Sequence, residues 1–224
     1  TTTYSGARLS VANNLVVSAG TLRLADYAGT QAIGGNMSGA GALDASAIAS
    51  GHILAVTGNL GTTGTPFATL TAPAGSLTVG GNWNVTSLTN SGGTVAFNGG
   101  SAQTIYPNGQ TFATVTVDGS DVRLTGTMMT GDATVNGGKK LTLDGSIVPG
   151  NVALEVTAGK AMTNNGTFAL NDNAHGSTLT LEGTAASANY AGNDITWGGS
   201  SLTVGNLVYA TATSLSSGTT LTLN

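Results

Sequence analysis

The fold expected for this chain follows from the residues Ser76-Leu77-Thr78-Val79-Gly80-Gly81-Asn82. Its apolar residues stand two apart with a threonine between them, and it ends in glycine and asparagine. Alternation with a period of two is the pattern of a half-buried β-strand, with leucine and valine facing inward and threonine facing outward. The Gly-Gly-Asn end is typical of a turn, because glycine and asparagine tolerate a positive φ. The unit therefore predicts a very short strand followed by a turn.

The same unit recurs along the chain, which predicts a repetitive all-β protein. Four further copies contain Leu-Thr-Leu or Leu-Thr-Val, and their leading leucines are Leu141, Leu179, Leu202 and Leu221. The gaps between these leucines shorten along the chain, so the spacing approaches one solenoid coil towards the C-terminus. We predict a single-domain β-solenoid over residues 1–224, with roughly 20–25 residues in each coil.

A β-sandwich is the alternative, since short strands between tight turns also fit hairpins. A sandwich core is expected to hold aromatic anchors, and the tryptophans here are only Trp83 and Trp197. A narrow solenoid core needs stacked Val, Leu, Ile and Ala, which this sequence supplies. The Gly/Ala/Ser-rich part at about 34–64 is the less regular portion. Its helix-compatible stretch, 42–49, is interpreted as tight coils with small inward residues rather than a helix.

The composition indicates an ordered protein with an uncharged surface. Charged residues make up 7% of the chain, against about 25% in an ordinary soluble domain. Between Asp44 and Asp118 there is no charged residue at all. Disorder usually combines low hydrophobicity with high net charge, whereas this chain is 40% hydrophobic with a net charge of −4. Cysteine is absent, which excludes thiolate metal sites, thiol catalysis and disulfides.

The same composition bears on partners and location. The six lysines and arginines form no basic stripe, which argues against nucleic-acid binding. No apolar run approaches the length needed to cross a bilayer, so no membrane insertion is expected. Scarce lysine with abundant asparagine and threonine favours an exported, cell-surface protein. The chain begins at Thr1 without an initiating methionine or signal peptide, so we expect a processed mature chain or a fragment.

Part of the chain resembles a known bacterial repeat. Residues 81–84, 93–105, 111–118 and 131–137 read in order as GNW, TVxFNG, AQTI, TFxxVTV and TVNG. This pattern is similar to the β-helical passenger repeats of autotransporters and of filamentous-haemagglutinin-like adhesins, and it covers about residues 76–146. The resemblance implies a right-handed parallel β-helix with a role on the cell surface or in its matrix. It carries over no catalytic residues.

The strongest candidate for a site is Asp118-Gly119-Ser120-Asp121, which places two carboxylates three residues apart. Asp118 and Asp121 are candidates for a calcium half-site or for an acidic pair acting on sugars. The alternative is a turn in which aspartate bonds its own backbone. Strand alternation puts Asp121 and Arg123 on one outward face, which predicts a surface ion pair. A polysaccharide-active enzyme would need clustered carboxylates with an Arg or Lys base in a groove, so we predict no enzyme and no cofactor.

Both ends of the chain are strand-like and lack a capping helix or a charged edge, and open strand edges tend to pair with further strands. A head-to-tail contact that does not close gives a filament. We therefore predict a non-enzymatic extracellular structural protein, a homopolymer built end to end by β-pairing. The alternative is a binding segment of a large adhesin or autotransporter passenger, with glycans or host surface proteins as partners. The assembly residues predicted for the filament are Thr1, Thr2, Thr3, Tyr4, Leu9 and Val11 at one end and Thr220, Leu221, Thr222 and Leu223 at the other.

Overall fold

The computed structural model is an all-β parallel solenoid, which confirms the predicted fold class. It describes residues 2–4, 8–144, 147, 152–157, 160–171, 177–181, 189–192, 195–197, 202–204, 208–209 and 221–223. Every strand pair among these residues is parallel, and none of them lies in a helix. A β-sandwich is excluded, because its sheets are built of antiparallel strands. No helix of the described residues is long and apolar enough to cross a membrane.

The strands are short, as the sequence units predict. In chain order they are β1 (Thr2–Tyr4), β2 (Ser10–Val11), β3 (Leu15–Val16), β4 (Thr21–Leu24), β5 (Thr30–Ile33), β6 (Met37–Ser38), β7 (Ala42–Asp44), β8 (Ile53–Val56), β9 (Phe67–Thr71), β10 (Ser76–Val79), β11 (Trp83–Thr89), β12 (Thr94–Phe97), β13 (Gln103–Tyr106), β14 (Thr111–Val117), β15 (Val122–Leu124), β16 (Met128–Val135), β17 (Lys140–Asp144), β18 (Val152–Val156), β19 (Ala161–Asn164), β20 (Thr167–Asn171), β21 (Ser177–Leu181), β22 (Asn189–Gly192), β23 (Ile195–Trp197), β24 (Leu202–Val204), β25 (Val208–Tyr209) and β26 (Leu221–Leu223).

Strands at the same position in successive coils stack into sheets. Sheet I runs in the order β1-β4-β7-β9-β11-β13-β15-β17-β20-β23, and sheet II in the order β2-β5-β8-β10-β12-β14-β16-β19-β22-β25 with β18 and β21 beside it. Between them, β3 pairs with β6, and single bridges continue this third column through Met37, Leu60 and Trp83. β11 joins the columns, because it pairs with β9 through one part and with β13 through the other.

The length of a coil varies along the solenoid. In sheet II, Ser76 pairs with Ile53 in the coil before it and with Thr94 in the coil after it, and the second step along the sequence is the shorter one. The step from Ala133 to its partner Met162 is longer than either. This variation explains why the sequence repeat is irregular although the strands remain in register.

The core is a continuous stack of inward side chains. In sheet II the register aligns one inward column whose members are at most 1% exposed: Ile33, Val56, Val79, Phe97, Val117 and Val135. The outward neighbours are small and half-buried: Ala32, Ala55, Thr78, Ala96, Thr116 and Thr134. A slip of one residue would exchange these two columns, so burial fixes the register.

Trp83 lies in the core rather than on the surface. Its ring contacts Phe97 with centroids 5.9 Å apart and Phe112 with centroids 5.3 Å apart. The indole N–H donates to Gln110 Oε1 at 3.2 Å, which satisfies the polar edge of this fully buried side chain. The side chain of Trp197 lies outside the described part of the chain.

The structure also locates the stretches that the sequence treated as irregular. Ala42–Asp44 forms β7, and Ala45 and Ile48 after it are buried, as expected for tight coils with small inward residues. Residues 34–64 contain β6, β7 and β8 in register with their neighbours.

The recurring leucine units mark single coils only at the C-terminal end. Leu202 pairs with Leu221 across one coil, as the short gap between them predicted. The longer gap from Leu141 to Leu179 does not correspond to one coil, because Leu141 aligns with Phe168, and Leu179 with Leu154.

Candidate functional site at the solenoid corner

An asparagine ladder occupies the corner that follows each early strand of sheet II. The side-chain Oδ1 of one asparagine accepts the backbone N–H of the equivalent residue in the next coil. The bonds run from Asn36 N to Asn14 Oδ1 (2.8 Å), Asn59 N to Asn36 Oδ1 (2.8 Å), Asn82 N to Asn59 Oδ1 (2.7 Å) and Thr104 N to Asn82 Oδ1 (2.8 Å). Each bond spans 22 or 23 residues of sequence. The ladder thus connects five successive coils at one corner.

The glycine before each inner ladder asparagine is required by close approach. A Cβ on Gly58 would lie 2.4 Å from Asn36 Oδ1, and one on Gly81 would lie 2.5 Å from Asn59 Oδ1. Neither glycine has a positive φ, so the reason is space rather than backbone conformation. The Gly-Asn pair is therefore one structural unit. Because the glycine has no side chain, it leaves room for the side-chain amide of the asparagine in the preceding coil.

Sequence reasoning missed this ladder, although a signal for it exists. Each ladder asparagine is followed by a large apolar residue, as Asn14-Leu15, Asn36-Met37, Asn59-Leu60 and Asn82-Trp83. These pairs follow one another at nearly constant intervals, and their period is more regular than that of the Leu-Thr-Leu units. The residues at the corner therefore show the sequence repeat more clearly than the residues of the strands do.

The ladder ends at Gln103, where the corner is rebuilt. The chain makes an extra loop after β12, and the buried Gln103 side chain fills the corner beneath it. Its Nε2 donates to Val79 O at 2.9 Å and Gly81 O at 2.6 Å, while its Oε1 accepts the Gly99 N–H at 2.7 Å. One glutamine therefore bonds three backbone groups at this corner, among them the Val79 carbonyl, which also accepts the Asn98 N–H.

A second column of polar residues begins at Asn98, directly after the inward column of sheet II. It consists of Asn98, Asp118, Asn136 and Asn165, each followed by glycine. Asn136 Nδ2 donates to Asp118 Oδ1 at 3.2 Å, so this carboxylate bonds across to the next coil.

The predicted ion pair between Asp121 and Arg123 is confirmed, and it belongs to a larger group. Arg123 NH2 lies 3.0 Å from Asp121 Oδ2, and NH1 donates to Asp144 Oδ2 at 3.3 Å in the next coil. Thr142 Oγ1 donates to Asp121 Oδ1 at 3.3 Å. The structure therefore directs Asp118 and Asp121 to different partners. Among the described residues no group of three or more His, Asp or Glu side chains could hold a metal ion, and a calcium half-site at these two residues stays a prediction.

Asp26 and His52 form a further contact between coils. His52 Nδ1 lies 2.7 Å from Asp26 Oδ1, and the Ala49 N–H donates to the same oxygen at 3.1 Å. The His52 hydrogen bond first, and the Ala49 hydrogen bond second, hold the pKa of Asp26 below its usual value of 3.8. The charged form of Asp26 is therefore favoured in the folded protein.

Apart from Leu9, the predicted assembly residues that the structure describes lie in outermost strands of the sheets. Thr2–Tyr4 is β1 and pairs with β4, while Val11 in β2 pairs with Ile33. Leu9 is buried, and its carbonyl accepts the Ala32 N–H. Leu221–Leu223 is β26 and pairs with β24. Thr1 and Thr220 lie outside the described residues. Among the described strands, β1, β2, β25 and β26 each have a partner on one side.

Replacing one inner ladder residue, Asn59→Ala, should lower the free energy of unfolding by about 1–2 kcal/mol, because the Asn82 N–H loses its acceptor at a partly buried corner. Asn59→Asp keeps an acceptor oxygen and should lose less, while Asn13→Ala, at an exposed neighbour of the ladder, should leave stability unchanged. Chemical denaturation of the three variants measures the difference. Equal losses in Asn59→Ala and Asn13→Ala would contradict a stabilising ladder.

Gly81→Ala should destabilise the protein by about 1–3 kcal/mol, because the new methyl group would overlap Asn59 Oδ1 and displace the ladder. Gly64→Ala is the matched control, since a Cβ there meets nothing within 4 Å and the backbone φ is not positive. Thermal unfolding followed by circular dichroism compares the two. The close-approach explanation fails if both substitutions shift the midpoint equally.

Asp26→Asn should destabilise the protein at neutral pH and have no effect in strong acid. A carboxylate whose pKa is lowered in the folded state contributes stability above its unfolded pKa and loses it as pH falls through the folded pKa. The Tm difference between the wild type and the variant should therefore close as pH falls below 3.8. A Tm difference that persists unchanged well below pH 3.8 would show that the Asp26 charge does not stabilise the fold.

A scan against protein-family models and searches of curated proteins and of solved structures find no match for this chain. The resemblance to bacterial surface repeats therefore stays a prediction. The geometry of the coils is the basis for assigning a function.

Proposed function

We propose that this chain is a non-enzymatic extracellular structural protein whose coils stack end to end into a filament. The head-to-tail stacking of the coils carries the proposal, and the ladder residues display it. Asn36 donates its backbone N–H to one neighbouring coil and accepts an N–H from the other through Oδ1, and Asn59 does the same. Donors and acceptors lie on opposite sides of each coil, so coils join head to tail. A head-to-tail contact that does not close propagates as an open filament.

The outer strand edges supply the backbone part of such a contact. The carbonyls of Leu9 and Val11 accept N–H groups of β5 and of the residue that follows it. Because backbone groups alternate along a strand, those of Ser10 face the opposite side of β2. An edge of this kind accepts a further parallel strand, whichever polypeptide supplies it.

The lateral faces favour a structural role over a catalytic one. Several acidic side chains described in the coils are engaged by their own neighbours: Asp26 by His52, Asp121 by Arg123, and Asp132 by Lys160 at 3.5 Å. Each of these carboxylates therefore has a partner within the stack, which fits a scaffold of joined coils.

A binding segment of an adhesin is the second candidate function, and one feature favours it. A shallow cavity of about 250 Å³ lies between sheet II and the loop after β12. Its lining includes Thr57, Thr78 and Asn98 beside the small residues Ala55 and Gly100. Hydroxyl and amide groups over a flat, uncharged surface suit a saccharide, which would make glycans the partner in this case.

Negative-stain electron microscopy at near-neutral pH tests the filament. The intact chain should form long, thin fibres. Ser10→Pro should abolish them, because proline removes the outward N–H of β2 and leaves the inward bonds of Leu9 and Val11 in place. Asn13→Ala, at the exposed corner that follows β2, is the matched control and should still polymerise.

Circular dichroism establishes that the Ser10→Pro variant is folded, and a chain lacking residues 1–11 provides a second way to remove the edge. Short isolated rods from the intact chain would contradict the filament and leave the adhesin segment as the better account. Fibres that persist in both altered proteins would contradict assembly through β2.

A further inference from the structure

Asparagine followed by glycine is the dipeptide most prone to spontaneous deamidation, because glycine leaves its backbone nitrogen open to attack the asparagine side chain. The sequence contains four such pairs, at Asn98-Gly99, Asn108-Gly109, Asn136-Gly137 and Asn165-Gly166. The reaction needs a backbone N–H that is not held in a hydrogen bond, an asparagine side chain that can rotate, and space for a ring. The structure separates the four pairs by these three requirements.

Three of the pairs are held in place. The Gly99 N–H donates to Gln103 Oε1 at 2.7 Å, and the Gly166 N–H donates to Asn164 Oδ1 at 3.2 Å. The Asn108 amide is fixed by two bonds, to Asn84 Oδ1 at 3.1 Å and to Val85 O at 2.8 Å. In each case either the attacking nitrogen or the side chain that it must reach is restrained.

Asn136-Gly137 combines an attacking nitrogen that is not bonded with a side chain that is held by a single bond. Within the part of the chain that the structure describes, the Gly137 N–H has no acceptor, and Gly137 is exposed. One bond holds the Asn136 side chain, the 3.2 Å contact with Asp118.

Glycine at position 137 is also not explained by packing. A Cβ on Gly99 or Gly166 would lie 2.3 Å from a backbone carbonyl, whereas at Gly137 the nearest atom is Asn165 O at 3.8 Å. The turn therefore has room for a ring to close.

We infer that Asn136-Gly137 is a self-modification site, at which the chain deamidates without an enzyme. The Gly137 nitrogen attacks Asn136 Cγ, forming a C–N bond, and its proton leaves with the side-chain amide as ammonia. Water then opens the five-membered succinimide at either carbonyl carbon, giving aspartate or isoaspartate at position 136. The net reaction consumes one water and releases one ammonia, with no oxidant or cofactor.

The product changes the contact between two coils. An amide that donates to Asp118 becomes a carboxylate facing the same carboxylate, so attraction is replaced by repulsion between like charges. The isoaspartate form in addition lengthens the backbone inside the turn that the Lys139 N–H closes onto Asn136 O at 3.1 Å. The junction between β14 and β16 should therefore loosen in aged protein.

Peptide mapping tests the site directly. Trypsin should release residues 124–139 as one peptide, which contains Asn136 and none of the other three pairs. After incubation of the full chain at mildly alkaline pH, mass spectrometry should find the acid form of this peptide, with isoaspartate, several-fold ahead of the peptides that carry the other pairs. Unchanged amide in residues 124–139, or equal conversion of all four pairs, would overturn the inference.

Two variants test the deamidation reaction and its effect on stability separately. Gly137→Ala, for which the structure has space, should slow conversion several-fold while the Tm stays that of the wild type; an unchanged rate would overturn the mechanism. Asn136→Asp should lower the Tm at neutral pH, because it places a second carboxylate beside Asp118. A variant that melts like the wild type would overturn the predicted loosening.

Discussion

The bond from an asparagine Oδ1 to a backbone N–H one coil later is the interaction on which the early coils depend. Parallel strands hold the coils together through their backbones, but these strands are only two to eight residues long. At the corner after sheet II the strand pairing has ended, and a backbone N–H there needs an acceptor of its own. Asn36 and its equivalents supply one without adding charge. The glycine before each inner asparagine follows from this, because the amide of the preceding coil occupies the place of a Cβ.

The solenoid has two parts, which differ in the side-chain contacts that join successive coils at the corner. Each ladder bond spans 22 or 23 residues, and no charged residue occurs between Asp44 and Asp118. The coil that leads from Ser76 to Thr94 in sheet II is shorter, and Gln103 bonds three backbone groups at the corner beside it. Beyond it, contacts between coils use carboxylates and Arg123, which reaches Asp144 in the next coil. Charged contacts between coils also occur among the ladder coils, where Arg23 contacts Asp44 and His52 contacts Asp26.

The sequence predicts the strands and the contacts between residues close in sequence, but it does not predict the contacts between coils. The alternation at Ser76–Val79 becomes β10 with Leu77 and Val79 inward, because the period of a strand is set by its own backbone. The Asp121–Arg123 pair was likewise visible, since its members are two residues apart. The partners of Asn59 and Asp118 lie in other coils, and the unequal lengths of the coils conceal which positions meet. Gln103 gave no signal, because its role arises only from a corner whose shape the sequence does not reveal.

The residue that follows each asparagine separates the durable positions from the labile ones. Ladder asparagines precede Leu15, Met37, Leu60 and Trp83, and the last three are fully buried core residues. A bulky side chain at that position both fills the core and hinders attack on the asparagine side chain, so one choice of residue protects the bond that joins the coils. In the turns, glycine is needed where the chain passes close to a carbonyl, as at Gly99 beside Gly80 O. There a hydrogen bond to the glycine N–H, rather than a bulky neighbour, restrains the same chemistry. Both forms of protection thus occur in the part of the chain that carries the ladder.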